Sequence, residues 1–224
     1  MQTADLIALW LTIRLALIST LVLMLLGVPL AWWLARSRWR GKSLVNALIA
    51  LPLVLPPTVL GFYLLLLMAP DGWLGSLITS LGLAPLPFSF AGLVIGSVVY
   101  SLPFVVQPIS NAFASIKQST LQAAATLGSG PLERFFTLAL PLARPGLLSG
   151  AVLGFAHTLG EFGVVLMLGG NIPGETRVAS IAIYEHVEIL NYSGAHWLAG
   201  LLLLLSFVLL LLVYSLNRRA IWPG

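Results

Sequence analysis

The sequence predicts an all-α polytopic membrane protein with five transmembrane helices, arranged as a single transmembrane domain over residues 1–224. Of the 224 residues, 59% are hydrophobic and 8% are charged. The mean hydropathy of +1.02 lies well above that of soluble domains. Five apolar stretches approach the ~20 residues that cross a bilayer core. The chain has no cysteine, which excludes disulfides and thiolate metal sites.

The five predicted spans are separated by segments that contain polar residues, glycine or proline. They are Leu15–Ala35, Leu44–Met68, Phe90–Phe113, Leu147–Leu168 and Trp197–Leu216. The first span is not a cleavable signal sequence, because its apolar run exceeds the usual length of about 7 to 15 residues and its positive charges follow it.

The basic residues predict the orientation. Nine of the 11 fall on one side of the predicted spans: Arg36, Arg38, Arg40, Lys42, Lys117, Arg134, Arg144, Arg218 and Arg219. The positive-inside rule makes that side the cytoplasm. We therefore expect the N-terminus outside and the C-terminus inside, and the net charge of +4 requires no nucleic-acid partner.

Residues 114–146 form the long polar loop between spans three and four. Thr120 is expected to cap a helix over Leu121–Leu127, and Gly128 to end it in a left-handed conformation. Pro131 suits the first turn of a second helix, which Pro141 and Pro145 are expected to stop. A short helix made of small residues fits a groove on a soluble partner. The alternative is a plain surface connector.

The spacing within this loop carries a family resemblance. Gln122, Ala123 and Ala124 are followed by Gly128 and, nine residues later, by Leu138-Ala139-Leu140-Pro141. The pattern resembles the Glu-Ala-Ala loop of bacterial ABC importer permeases, with Gln122 in place of Glu and Leu138 in place of Ile. The resemblance implies that an ATPase is contacted by Gln122, Ala123, Ala124, Gly128, Leu138, Leu140 and Pro141.

Prolines interrupt two neighbouring spans. Pro52, Pro56 and Pro57 lie in span two, while Pro103 and Pro108 follow Ser101 in span three. Each proline frees a carbonyl, which is tolerated at membrane depth only against protein or a wet cavity. The prolines therefore favour breaks in both spans and a pathway between helices, although kinks that only assist packing stay open.

Span four combines small and ionisable residues. Gly146, Gly150 and Gly154 have the spacing of closely packed transmembrane helices, and Gly92 and Gly96 repeat it in span three. His157 and Glu161 fall on nearly the same face. They either satisfy one another at i and i+4 or line or gate a pathway. Two ligands are too few for a structural zinc site.

The last loop, residues 169–196, contains a segment with helical apolar spacing. Val178–Leu190 is too short to cross a bilayer, so we expect a helix that dips into or lies on the outer surface. A sixth span would place Arg218 and Arg219 outside, against the charge rule.

Several segments resemble molybdate permeases within the importer family, and together they cover nearly the whole chain. They are LPLVLPPTVLG, SLPFVVQPI, Gly160-Glu161-Phe162-Gly163 and Asn171–Thr176. The resemblance implies a homodimer in the bacterial inner membrane, two ATPase subunits on the cytoplasmic loops and an oxyanion-binding protein outside. It also implies alternating access, with molybdate or tungstate as the imported anion. The residues we assign to the pathway or its gate are Pro56, Pro57, Ser101, Pro103, His157, Glu161, Phe162 and Gly163.

We expect no cofactor on this chain. Gly41-Lys42-Ser43 ends like a phosphate-binding loop, but Arg36 stands where that motif requires glycine and no strand precedes it. ATP and Mg²⁺ should therefore bind a separate ATPase. Three alternatives stay open: a sulfate or thiosulfate importer permease, a membrane-embedded enzyme using His157 and Glu161, and a non-transporting scaffold. The sequence contains neither HExxH nor GxSxG.

Overall fold

A computed structural model describes residues 3–221, and within them the chain is helical with no strand. Two short turns interrupt the α-helices: a 3₁₀ turn at Leu51–Leu53 and a π-helical turn at Phe135–Ala139. The α-helices in chain order are α1 Thr3–Arg36, α2 Lys42–Ala50, α3 Pro57–Met68, α4 Trp73–Ser80, α5 Phe90–Ser115, α6 Gln118–Thr126, α7 Pro131–Arg134, α8 Leu140–Leu142, α9 Arg144–Leu159, α10 Gly163–Gly169, α11 Ala179–Glu188 and α12 Tyr192–Ile221.

The described residues contain four helical stretches long and apolar enough to cross a membrane, or five if one bent pair counts as a single span. The four are Thr3–Arg36, Pro57–Ser80, Phe90–Ser115 and Tyr192–Leu212. The bent pair joins Pro131–Leu142 to Arg144–Leu159 at an angle of 71°. The all-α fold with up to five apolar spans is therefore confirmed.

Two of the five expected spans are discontinuous. Span two is divided between α2 and α3, because three prolines within six residues remove the amides that would continue the helix, and α3 begins at Pro57. Span four is divided between α9 and α10 by residues 160–162. Gly160 lies in that break and Gly163 begins α10, and glycine is a weak helix former. The expectation of one continuous helix over Leu147–Leu168 was wrong.

Span three is continuous where we expected a break. α5 runs from Phe90 to Ser115 with Pro103 and Pro108 inside it. Pro103 is buried, and the Pro108 carbonyl lies against Gly146 of α9. Neighbouring helices at membrane depth compensate for the missing amides.

The centre of the bundle is the contact of α1, α5 and α9. Gly146, Gly150 and Gly154 are buried against α5, as their spacing predicts. A β-carbon at Gly150 would lie 2.9 Å from Ile109 Cγ1 and 3.0 Å from the Val105 carbonyl. Larger residues would therefore push the two helices apart.

The glycine pair in α5 behaves differently at its two positions. Gly96 packs against Leu168 of α10, which agrees with close helix packing. Gly92 instead faces the carbonyl of Leu86 in the loop before α5. Its small size serves a local turn rather than a second helix.

The helix α11 is held at one end of the bundle. The Ala179 amide donates to Thr12 Oγ1 at 2.7 Å, and His186 Nε2 lies 3.0 Å from Asp5 Oδ1. Asn191 Nδ2 lies 3.1 Å from His186 Nδ1. With ten residues α11 is too short to cross, as expected for the segment Val178–Leu190.

Candidate coupling surface and membrane pathway

The short helix of the long polar loop is α6, Gln118–Thr126. It begins three residues earlier than expected, and Lys117 rather than Thr120 occupies the N-cap position. The cause is that Ile116 and Lys117 are extended, so the helix starts directly after them. Gly128 ends the turn with φ of +89°, which confirms its predicted left-handed role.

The second half of the loop also departs from expectation in one respect. Pro131 opens α7, as predicted, and the helical run through Phe135–Ala139 and α8 ends at Leu142, directly after Pro141. Pro145 does not stop this run, because it lies in the first turn of α9, where its missing amide would have no helical partner in any case. The chain instead bends between Leu142 and Arg144.

The residues assigned to ATPase coupling fall into an outer and an inner set. Gln122, Ala123 and Gly128 are exposed and Ala124 is half-buried. Leu138 and Leu140 pack against the buried core around α1 and α5, and Pro141, between Leu140 and Leu142 in α8, is half-buried. The outer set can touch a partner directly, whereas the inner set joins the loop to the bundle.

Sequence reasoning missed the apolar part of the outer set. Leu127 is 88% exposed and Leu132 is 74% exposed, on either side of Gly128. Because these two exposed leucines lie close to Gln122 and Ala123 in the chain, we expect them to belong to the same contact with a partner. We call Gln122, Ala123, Leu127, Gly128 and Leu132 the coupling surface. A leucine directly before a helix-ending glycine was the available signal.

A single arginine ties α6 to the bundle. Arg36, the last residue of α1, donates from Nη2 to the carbonyls of Phe113 at 2.8 Å and Ile116 at 3.0 Å. Its Nη1 donates to Gln118 Oε1 at 3.3 Å. These carbonyls lie at the C-terminal end of α5, where helices leave acceptors unpaired. Arg36 thus connects α1, α5 and α6 at one point.

An aromatic cluster supports the same junction. The Trp32 ring lies 5.1 Å from Phe113 and 5.4 Å from Phe135, centroid to centroid. The Arg36 guanidinium carbon lies 5.2 Å from the Trp32 ring. Arg134 Nη1 donates to the Leu121 carbonyl at 3.3 Å. Arg36 and Arg134 both donate hydrogen bonds to α6 at this end of the molecule, which we call the basic end.

The two helix breaks meet at a cavity of about 560 Å³, which we call the central cavity. Gly163 packs against Pro57, so that a β-carbon at Gly163 would lie 2.7 Å from the proline Cβ. Five residues assigned to the pathway line this cavity: Pro57, His157, Glu161, Phe162 and Gly163.

The other three pathway residues lie beside the cavity rather than in its wall. Pro56 occupies the N-cap position of α3. Ser101 and Pro103 are buried within α5. Tyr100, which sequence reasoning did not select, does line the cavity.

His157 binds α5 and not Glu161. Its Nδ1 lies 2.9 Å from Ser101 Oγ, which in turn lies 3.0 Å from Thr158 Oγ1. The ring stacks on Phe104 at a centroid distance of 3.9 Å. Since α9 ends at Leu159, the expected i and i+4 relationship to Glu161 is lost.

Glu161 is the ionisable group of the break. It is 3% exposed and lies near Ser97, but neither carboxylate oxygen meets hydrogen-bond geometry with a partner within the described residues. Its backbone carbonyl accepts from Ser180 Oγ at 2.6 Å. A buried carboxyl beside a cavity at membrane depth is costly and is characteristic of transport pathways.

The described residues contain no group of three or more His, Cys, Asp or Glu residues suited to a metal ion. The chemistry available at the central cavity is therefore that of one carboxyl, one imidazole and neighbouring hydroxyls. These groups can bind, repel or exchange hydrogen bonds with a passing ion.

Comparison with known proteins gives matches over nearly the whole chain. Residues 27–222 match the family model of the binding-protein-dependent transport system inner membrane component. The chain is 58% identical to the molybdenum transport system permease protein ModB of Azotobacter vinelandii, covering 96% of this chain and 95% of that protein. Identity is 39% to the same protein of Haemophilus influenzae, over 93% and 92% of the two chains. It is 34% to a probable sulfate transport system permease protein cysT of Zygnema circumcarinatum, over 88% and 68%.

Solved structures share the fold. A bacterial ABC transporter that imports the polysaccharide alginate has a TM-score of 0.79 at 19% identity, covering 98% of this chain and 80% of that chain. The inward-facing methionine ABC transporter MetNI has a TM-score of 0.73 at 17% identity, covering 98% and 99%. At these identities the likeness concerns the fold alone.

Proposed function

The chain belongs to the family of binding-protein-dependent transport system inner membrane components, and on that premise we propose that it is the permease of an ATP-driven molybdate importer. One observation carries the choice of substrate, namely the similarity to molybdenum transport permeases over nearly the full length of both chains. The chain is a transport permease rather than an enzyme, and ATP is hydrolysed by a separate subunit.

The geometry supports different binding partners for the two ends of the molecule. The coupling surface lies at the basic end, which by the positive-inside rule faces the cytoplasm. There it binds the ATPase, which holds ATP and Mg²⁺. The opposite end, with α11, faces the oxyanion-binding protein. Two copies of this chain surround one pathway, and each docks one ATPase.

The junction at Arg36 supports a mechanism of alternating access. Closure of the ATPases displaces α6, and the hydrogen bonds of Arg36 transmit that displacement to α1 and α5. The central cavity lies at breaks in two helices, where segments can rotate without stretching a continuous helix. The dianion crosses there when the bundle opens outward.

A second candidate, sulfate transport, is favoured by the similarity to a sulfate permease. Molybdate and sulfate are both tetrahedral dianions, so competition separates them better than either uptake alone. We expect cells that rely on this transporter to accumulate labelled molybdate, and excess sulfate to leave most of that uptake intact. Equal inhibition by equimolar sulfate and molybdate would favour sulfate. No uptake of either anion would reject both candidates.

A further inference from the structure

We propose that a second cavity, at the basic end, is a weak binding site for the tetrahedral oxyanion on its way into the cytoplasm. This basic-end cavity has a volume of about 400 Å³. Its polar lining residues are Lys42 and Asn46 of α2 and Gln107, Ser110 and Asn111 of α5. The proposal rests on the proposed transport function, which it extends to a specific site.

The polar groups of this cavity are available to a ligand. Within residues 3–221, the side chains of these five residues form no hydrogen bond or ion pair with the protein. Lys42 and Asn46 are one helical turn apart, so both can face α5. Polar groups on a membrane helix without protein partners indicate a wet surface rather than a lipid contact.

One face of α5 joins this cavity to the central cavity. Tyr100, Phe104, Gln107, Asn111 and Ala114 follow the spacing i, i+4, i+7, i+11 and i+14 and so lie along one stripe. Tyr100 lines the central cavity, whereas Gln107, Asn111 and Ala114 line the basic-end cavity. The 11 helical steps from Tyr100 to Asn111 span ~16 Å at the helical rise. Phe104, stacked on His157, lies between the two cavities.

The chemistry of the lining suits an oxyanion. Lys42 supplies a positive charge, and the amides and hydroxyl supply neutral donors for the oxygen atoms of a tetrahedral anion. The described lining of this cavity includes no carboxylate, unlike that of the central cavity with Glu161. A single cation with neutral donors binds weakly, which lets the ion leave as conduction requires.

A cysteine at Ser110 tests the site directly, because the chain has no native cysteine. The complete transporter, with ATPase and binding protein, is placed in vesicles that expose the basic end. The variant Ser110→Cys is then treated with a negatively charged methanethiosulfonate reagent. Asn46→Cys provides the same test from α2. Ser115→Cys is the control, since it is exposed on α5 outside the cavity.

We expect the reagent to modify Ser110→Cys and Asn46→Cys, and millimolar molybdate to slow both reactions relative to sodium chloride of equal ionic strength. Modification of Ser115→Cys should be unaffected. Adding Lys42→Gln should weaken the protection about tenfold, the effect of losing one charged contact. Lys42→Arg should retain the protection.

Two results would overturn the site. Cysteines at both positions that never react would mean that another surface, such as a second copy of the chain, covers the cavity. Cysteines that react equally fast with and without molybdate would mean that no oxyanion binds there. Molybdate uptake by the unmodified transporter is measured in parallel. If that uptake is absent, the proposed function fails; if it is present without protection, only the site fails.

Discussion

Among single residues, Glu161 and Arg36 differ in how many hydrogen-bond partners their charged groups have. Glu161 is buried beside a cavity and forms no ion pair within the described residues. Arg36 is bound by two carbonyls and one amide oxygen at the basic end. A buried ionisable group without an ion pair is energetically costly and in membrane proteins is characteristic of a transport site. The hydrogen bonds of Arg36 instead connect the ends of α1 and α5 to the start of α6, while its Nε has no hydrogen-bond partner within the described residues.

We predict that Glu161→Ala lowers molybdate uptake by about tenfold, equivalent to ~1.4 kcal/mol, while assembly with the ATPase is retained. The reason is that Glu161 faces the central cavity and supports no other side chain through an ion pair. Uptake and co-purification of the ATPase are measured together. Asp71→Ala, an exposed carboxylate far along the chain, is the control.

The same residue offers a second comparison. If Glu161 only balanced His157, changing both to leucine would restore uptake. Since His157 binds Ser101 instead, we expect uptake by the double variant to stay about as low as that of Glu161→Ala. Restored uptake would remove Glu161 from the pathway.

We predict that Arg36→Gln uncouples ATP hydrolysis from transport. The change removes charged hydrogen bonds to two carbonyls, each worth ~1.5 to 3 kcal/mol in favourable geometry and less at this partly exposed site. The measurement is the amount of molybdate imported per ATP hydrolysed. Arg36→Lys, which lacks the planar fork, should fall between wild type and Arg36→Gln.

Arg38→Gln is the matched control, because Arg38 is exposed and undergoes the same charge change. Gln118→Ala removes only the 3.3 Å contact and should have a small effect. An unchanged ratio of import to hydrolysis in Arg36→Gln would show that this junction does not transmit motion.

At the scale of elements, α6 is an exposed helix whose inner side is anchored. Leu121 is buried in the core beside α1 and α5, whereas Ala123 and Leu127 face outward. The helix can therefore bind a partner without losing its place on the bundle. Gly128 has a left-handed backbone and open space around it, so substitutions there add backbone strain as well as bulk.

We predict that Ala123→Arg weakens ATPase association by ~1 to 3 kcal/mol through overpacking, without affecting membrane insertion. Ala123 has ordinary helical geometry, so this change avoids the strain that Gly128→Arg introduces. The ATPase is pulled down from detergent extracts with each variant. Ala84→Arg, exposed on another loop, should retain the ATPase. Full association of Ala123→Arg would place the docking site elsewhere.

The sequence predicts apolar length and local turns better than it predicts helix continuity. The left-handed end at Gly128 and the start at Pro131 follow from local backbone preferences, and both are confirmed. The continuity of α5 through Pro103 depends on neighbouring helices, which local preferences do not describe. The break at residues 160–162 agrees with the weak helix preference of Gly160 and Gly163, which the prediction of one continuous span overlooked. The bonds of Arg36 depend on residues about 80 positions away in the chain.

At the scale of the whole molecule, charge divides the two ends. Arg14 and Arg177 do not belong to the nine basic residues on the predicted cytoplasmic side, and each contacts another side chain. Arg177 Nη2 lies 2.8 Å from Glu185 Oε2. The Arg14 guanidinium lies 4.5 Å from the Phe90 ring. Nine of the 11 basic residues thus fall on the side that the positive-inside rule assigns to the cytoplasm, and that orientation stays a prediction.

We predict that an impermeant thiol reagent applied outside intact cells labels single cysteines at Asp71 and Ser193, and that it labels a cysteine at Ser129 only after the membrane is opened. Asp71 and Ser193 are exposed, and Ser129 follows the coupling helix. The absence of native cysteines makes each signal specific. Labelling of Ser129 in intact cells would reverse the orientation.

We expect this chain to conduct an oxyanion only when an ATPase acts on its coupling surface. The most direct measurement is ATP-driven uptake of labelled molybdate into proteoliposomes containing the permease, the ATPase and the binding protein. We predict accumulation that requires ATP and the ATPase and that falls sharply with Ala123→Arg. Uptake that continues at the same rate without the ATPase, or ATP hydrolysis with no accumulation of molybdate in the wild-type transporter, would contradict ATP-driven import through this chain.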